Sequence, residues 1–408
     1  MNINRDFPIV EVSRKAQAAI ENGHPWVYDA EVRRMVPEDF ENGSLVDVVS
    51  DKGRYLGTGI FSRLSKIRVR ILSRNTNDKF DDAFWRRRIK YAWDYRKTVM
   101  GSDASACRLI FGEADHFPGL TADLFNDIIV TQTLSIGMEK LKSRLFPMIA
   151  ETLESDGVKI RGIYERNDVA IRELEGLEQS KGWFEGFNHM GKLTTEICEN
   201  DIIYTVDVEN GQKTGFFLDQ KYNRREVARL AKGKRVLDCF THTGSFALNA
   251  ARGGADHVTA VDVSQTAIDL AAANAKRNGL DAKMDFLCED VFDLLPKMLE
   301  NHKNEYDFII LDPPAFTKSR KTIDSASRGY KEINYRAMKL LPRGGYLATC
   351  SCSHFMENSL FLKMLASAAR DAQVELRQIE ARQQAPDHPI LWGVPETDYL
   401  KFYIFQIV

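Results

Sequence analysis

Four acids and one cysteine in the second half of the chain stand where side chains can act on a ligand. Asp238 closes "RVLD", Asp262 closes "VTAVD", Asp290 ends "LCED", and Asp312 follows "YDFIIL". Each ends a short, largely apolar run, the signature of a strand covered on both faces. Pro313 and Pro314 cannot continue a ladder, so the fourth strand stops at Asp312. An open α/β sheet keeps its ligand at such carboxyl ends. A row of carboxylates there attracts a cation and repels phosphate. Cys352, in "TCSCSH", adds a sulfur that can attack an electron-poor carbon.

The elements that carry these residues alternate. A hairpin in "IIYTVDVENGQKTGFFL" leads through the helix "DQKYNRREVARLAK" to the strand "RVLDCF", and strands and helices then take turns as far as "GYLATCSCS". This predicts an α/β domain with a parallel sheet clothed on both sides. In "VLDCFTHTG", Gly244 permits a tight turn and a close backbone approach at the next helix. Asp262, eighteen residues beyond Gly244, can accept both hydroxyls of a ribose, and Asp290 falls near an adenine amino group. A dinucleotide would want G-x-G-x-x-G, whereas "DCFTHTGSF" offers one glycine and an acid where phosphates would lie. The acid suits the ammonium of a methionine moiety, so S-adenosylmethionine fits better than NAD.

A chain of 408 residues, at about 150 per domain, suggests three domains. "SLVDVVS", "RYLGTGIFS" and "KIRVRILS" read as strands of a small β-barrel, and "DDAFWRRRIKYAWDYRKTVM" as a linking helix. "LTADLFN", "DIIVTQTLSI" and "RGIYERND" read as strands of a middle α+β block, where Asp115 and His116 fit a loop clasp better than catalysis. Between residues 52 and 97, fourteen bases face four acids. They interleave with Tyr55, Phe61, Trp85, Tyr91, Trp93 and Tyr95, a pattern that suits a polyanion and stacked bases. No apolar run reaches the roughly 18 residues of a membrane helix, and the amino terminus has no apolar signal core, so a cytoplasmic protein is expected. The six scattered cysteines read as reduced thiols and show no zinc spacing, so no metal is expected.

"GHPWVYDAEV", "RLIFGEADHFPGLTAD", "GIYERNDVAIRELEGL", "GQKTGFFLDQKYNR", "LDPPAFTKS", "RGYKEIN", "CSCS" and "DHPILWGVPETDYLK" are spread over nearly the whole chain. With them the chain resembles the bacterial RlmI/YwbD family of large-subunit (23S) ribosomal RNA methyltransferases. The resemblance implies a PUA-like RNA-binding domain over 1–74, a linking helix and central α+β domain over 75–191, and a Rossmann-like methyltransferase domain over 192–408. It also implies that "GQKTGFF" lies over the cofactor. Lys213, Gly215, Phe217 and Gln220 then join Asp238, Phe240, Thr241, Gly244, Asp262, Asp290 and Asp312 as cofactor contacts. The partner implied is 23S ribosomal RNA or a large-subunit assembly intermediate, and the choice between monomer and homodimer stays open.

Ring nitrogens of RNA bases have a lone pair for a methyl group, but carbon-5 of cytosine does not. It must first be activated by a thiolate adding at carbon-6, and a base must later remove the carbon-5 proton. Cys352 is placed for that attack, and the family's matching "SCS" cysteine is the proposed nucleophile. Many cytosine carbon-5 RNA methyltransferases carry a second cysteine after the motif's proline, and "DPPAF" has none, so Asp312 or water is left as the base. The same motif resembles that of a guanine-N7 methyltransferase, which needs no nucleophile. Pro313, Pro314 and Phe316 would shape the base pocket under either chemistry, with Phe316 stacking on a flipped base. Arg328, Tyr330 and His354 are candidate substrate contacts, and His388 a weaker one at the pocket rim. A reading from another class is a non-catalytic assembly factor that binds RNA and keeps the cofactor for stability.

Overall fold

The computed structural model describes residues 5–408 except His302, Lys318 and the side chain of Arg320. Residues 1–4, which open the expected first domain, and Lys318 of "DPPAFTKS" therefore lie outside the described residues. The chain divides into two compact units. One comprises Met1–Ile197, Thr205–Leu218 and Pro386–Thr397, the other Cys198–Tyr204, Asp219–Ala385 and Asp398–Val408.

The first unit contains two sheets. Ile9–Val12, Trp26–Tyr28, Val32–Val36, Leu45–Val49, Tyr55–Phe61 and Ile67–Ser73 form a six-stranded one. Its alternating valines converge, with Val10, Val12, Val46, Val48 and Val69 wholly buried. "DKG" turns Leu45–Val49 into Tyr55–Phe61 with Gly53 at φ 70°. The second sheet runs in chain order through Ala106–Phe111, Leu120–Phe125, Ile128–Thr133, Gly162–Asn167 and Ser180–Trp183. Helix Asp82–Met100 packs on its first strand, and helix Ile136–Ser155, which runs on through Pro147, packs on its third. Buried Arg96 grips both carboxylate oxygens of Asp115 at 2.5 and 2.7 Å, and Asp115 also accepts from the Phe111 N–H at 2.7 Å. Asp115 is thus the clasp of its loop.

The basic run folds differently from its sequence-level promise. At least nine of the fourteen bases are ion-paired, several to acids outside the run: Arg54 to Glu21, Arg63 to Asp39, Arg68 to Asp29, Arg70 to Glu175 and Arg86 to Glu151. Phe61, Trp85 and Trp93 are core residues, which leaves Tyr91 and Tyr95 as the exposed rings. The helix period that interleaves bases with aromatics sends the two to opposite faces.

In the second unit the strands are β1 (Arg235–Cys239), β2 (His257–Asp262), β3 (Met284–Cys288), β4 (Phe308–Leu311), β5 (Tyr346–Ser351), β6 (Leu376–Arg382) and β7 (Lys401–Ile407). The helices are α1 (Lys221–Leu230), α2 (Ser245–Arg252), α3 (Gln265–Arg277), α4 (Val291–Asn301), α5 (Ile323–Leu340) and α6 (Asn358–Ala372). The sheet order is β3-β2-β1-β4-β5-β7-β6, with β1 to β5 parallel and β7 antiparallel between β5 and β6. Phe308, Ile309, Ile310 and Leu311 are all 0% exposed, as a strand sandwiched between helices requires. The order reverses between β1 and β4, which makes their carboxyl ends the switch point where such sheets bind ligands.

The expected hairpin is corrected. Ile202–Asp207 pairs with Thr194–Glu199 before it, and not with residues beyond "ENG". Asn200 and Asp201, at φ 52° and 60°, form the two-residue left-handed turn that suits a tight hairpin. After it Asp207 folds back to accept the N–H groups of Glu209 and Asn210, both at 2.9 Å.

Candidate active site

The four acids do stand at the strand ends of the second unit. Asp238 is fully buried near the end of β1. Its Oδ2 accepts from the Thr241 hydroxyl at 2.5 Å and the Ala247 N–H at 2.9 Å, while Oδ1 has no hydrogen-bond partner among the described residues. Burial pushes its pKa up to about 7 against the pull of the Thr241 hydrogen bond, and the charges of Asp312 and Asp262 add to the rise. A buried, unpartnered carboxylate oxygen is costly, and a donor or a cation would satisfy it.

The turn after β1 is strained in a regular way. Phe240, His242 and Gly244 all take left-handed φ values of 65°, 50° and 80°. The conformation points the His242 N–H at Asp262 Oδ2, 2.9 Å away, and the Ser264 N–H holds Oδ1 at 3.0 Å. Each oxygen of Asp262 keeps a further lone pair for a diol. At Gly244 a Cβ would lie 2.9 Å from the Ala271 Cβ, so close packing on α3 as well as the positive φ demands glycine. Asp290 is exposed and caps α4, with Oδ1 accepting the Phe292 N–H at 2.8 Å.

Asp312 sits just past β4. Its Oδ1 accepts from Gln220 Nε2 at 3.2 Å, and Gln220 Oε1 in turn accepts from Asn223 at 2.6 Å. Burial raises its pKa to about 6, repulsion from Asp219 adds to that, and hydrogen bonding to Cys350 and the charge of Arg224 oppose it. Arg224 itself is buried in a two-pronged pair with Glu199, at 2.6 and 2.8 Å. The Cys350 thiol is wholly buried against the Leu311 carbonyl at 3.3 Å and pushed far up by burial, which leaves it inside the sheet.

Cys352 follows β5 and is half-buried. Lys401, at the start of β7, sits beside it in register, since Ser351 is its strand partner. Asp219, His242 and Lys401 were not singled out from the sequence. The signal was there for Lys401, a lone charge heading the apolar "KFYIFQI".

Other expectations are corrected. Tyr330 is 0% exposed, its hydroxyl accepts from Ser351 at 3.0 Å, and its ring lies 4.6 Å from that of Phe316, so it is a core residue and not a substrate contact. The amphipathic face of α5 turns Tyr330 inward and leaves Arg328 exposed. Phe316 is half-buried between Tyr330 and Phe292, Pro313 is buried, and Pro314 and His354 are exposed. His388 belongs to the first unit, 3% exposed, with Nδ1 3.0 Å from Asp387. The "GQKTGFF" loop ends at the boundary of the units: Lys213, Gly215 and Phe217 fall in the first, with the Lys213 ammonium 4.7 Å above the Phe217 ring, and Gln220 in the second.

Comparison with known proteins agrees with this geometry. Residues 179–403 match the family described as S-adenosylmethionine-dependent methyltransferase, and residues 10–74 match a PUA-like domain. The chain belongs to the S-adenosylmethionine-dependent methyltransferases. It is 38% identical over 404 residues to ribosomal RNA large subunit methyltransferase I of Klebsiella pneumoniae, covering 98% of this chain and 99% of that one. To the Aeromonas salmonicida protein of the same name it is 41% identical over 380 residues, 93% and 94% of the two chains. Its fold is shared by a Streptococcus mutans protein described as a candidate methyltransferase of this class, with TM-score 0.80, 24% identity and coverage of 98% and 99%. A second such structure, complexed with S-adenosylhomocysteine, has TM-score 0.82 at the same identity and coverage. Among the described residues no helix of this methyltransferase is long and apolar enough to cross a membrane.

Proposed function

We propose that this methyltransferase modifies a base of 23S ribosomal RNA, at carbon-5 of a cytosine, with Cys352 as the attacking sulfur. The ribosomal RNA substrate follows the names of relatives that match almost end to end and the PUA-like domain at residues 10–74. The observation that carries the choice of base is the position of Cys352: half-buried just past a parallel strand end and flanked in the register by a lysine. A guanine N7 would need neither.

When bound, S-adenosylmethionine supplies an electrophilic methyl group on a sulfonium. Asp238 would hold its ammonium through the unpartnered Oδ1, Asp262 the ribose diol, and Asp290 the adenine edge, with Thr241 acting through Asp238. Lys213, Gly215, Phe217, Phe240 and Gln220 are further proposed contacts. The Cys352 sulfur forms a bond to carbon-6 of cytosine, which makes carbon-5 nucleophilic. After transfer a base removes the carbon-5 proton and the carbon–sulfur electron pair returns to sulfur. Asp312, held neutral below about pH 6 and ionised above it, is the carboxylate available to take that proton at pH 7. Phe316 and the two prolines would line the base pocket, with Arg328 and His354 as exposed contacts to RNA.

The test is incorporation of labelled methyl groups into large-subunit RNA from cells lacking the gene. Cys352→Ala should abolish label while S-adenosylhomocysteine affinity is kept. Cys352→Ser at wild-type activity would exclude the covalent route in favour of direct transfer to a ring nitrogen. RNA binding with no label at all would leave only an assembly role.

A further inference from the structure

Lys401 is the sole charged residue of β7 and is 6% exposed. Lysine is almost never buried at this depth without a partner that uses its charge. Its Nζ donates to the Ser353 carbonyl at 2.7 Å and the Tyr399 carbonyl at 2.8 Å. The first bond ties the ammonium to the residue immediately after Cys352, and the strand register sets Lys401 opposite the residue immediately before it. Among the described residues Lys401 forms no ion pair with a carboxylate. The negative or ionisable groups facing it are Asp398, Cys352 and Glu357. Asp398 accepts from Gln383 at 3.1 Å, and Glu357 is an exposed residue at the start of α6.

We propose that Lys401 keeps the Cys352 sulfur in its thiolate form, a positioning residue that acts through the nucleophile and not on the RNA base. This rests on the reading of Cys352 as nucleophile given above. With its pKa at about 8 the lysine is mainly an ammonium at neutral pH; the thiol proton leaves to water, the ammonium's charge offsets that of the thiolate, and the sulfur's electron pair then forms the bond to carbon-6. When that bond breaks the pair returns to a sulfur still facing the ammonium. Burial lowers the lysine to about 8 while Asp398, Cys352 and Glu357 pull it upward, so its charge is felt at the sulfur. Tyr330 and Cys350 also face Cys352, and burial raises both, which keeps them neutral near pH 7. A structural lysine that only pins two carbonyls would leave the thiol's titration alone.

The experiment needs no RNA. The full chain is treated with iodoacetamide from about pH 5.5 to about pH 10, and modification of the Cys352 peptide is read by mass spectrometry, apart from exposed Cys198 and Cys288. The wild type should react in two steps, the second near the lysine's own titration at about 8. Lys401→Met should give one step displaced upward by about one pH unit, roughly a ten-fold loss of rate at pH 7. Lys401→Arg, which keeps the charge and cannot titrate, should lose the second step and hold the first at or below its wild-type position. An unmoved Cys352 step in the methionine variant overturns the proposal. Should that variant not fold, a persistent second step in the arginine variant overturns it. Failure here leaves the Cys352→Ser methylation result to judge the nucleophile separately.

Discussion

Residues 52–97 and the carboxyl rim of the seven-stranded sheet both concentrate charge of one sign, and the fold treats them in opposite ways. In the basic run the side chains fan out along strands and a helix, and acids from Glu21 to Glu175 come in to meet them. At the rim, Asp238, Asp262 and Asp312 converge on one edge, where the backbone and Gln220 meet part of their hydrogen-bonding capacity and, among the described residues, Asp238 Oδ1 has no hydrogen-bond partner. Burial raises the carboxyls of both Asp238 and Asp312, and repulsion adds to it, from Asp312 and Asp262 on the first and from Asp219 on the second. Charge counted along a sequence says little about the field that survives folding. Charge placed at successive strand ends says a good deal, because the chain has few ways to neutralise it there.

The largest expected effect lies within the basic run. Arg96→Ala strands Asp115 in a buried clasp and should cost about 3–5 kcal/mol of unfolding free energy by urea titration. A loss below about 1 kcal/mol would mean that this pair is no more than a surface contact. At the rim, Asp238→Asn keeps the shape and removes the charge. It should weaken S-adenosylhomocysteine binding by calorimetry about 10- to 100-fold, in line with about 1.5–3 kcal/mol for a hydrogen bond to a charged group, with little loss of apo stability.

The pH dependence follows from the same carboxyl. Its ordinary pKa of 3.8 becomes about 7 in the folded chain, so between those values the folded state holds the extra proton. Apo stability gained from this group is complete below pH 3.8 and is lost as pH rises through about 7. Ligand binding runs the other way: a cation needs the ionised form, so affinity should fall up to about ten-fold per pH unit below about 7, and Asp238→Asn should flatten the profile. The smallest effect belongs to Arg86→Ala. Its exposed pair with Glu151 should contribute under about 1 kcal/mol.

The second unit was legible up to β5 because buried parallel strands such as "FIIL" are continuous apolar runs with acids at their ends. The antiparallel return was not. β6 reads "LRQIEAR", polar enough to pass for a loop, and β7 breaks the alternation of strand and helix on which the reading depended. In the first unit, Ala106–Phe111 was hidden by Arg108, whose charge is matched by Asp123 on the neighbouring strand at 2.8 Å. Val32–Val36 was hidden by its paired arginines. The acids at the strand ends could be found from spacing, whereas Lys401 and His242 reach their positions through register and a left-handed turn, which exist only after folding.

The chain passes between the two compact units five times, at 197/198, 204/205, 218/219, 385/386 and 397/398. A gene fragment beginning at residue 192 would thus carry Thr205–Leu218 and Pro386–Thr397 away from the body they fold with. The catalytic half of this enzyme is therefore not one continuous cassette of sequence.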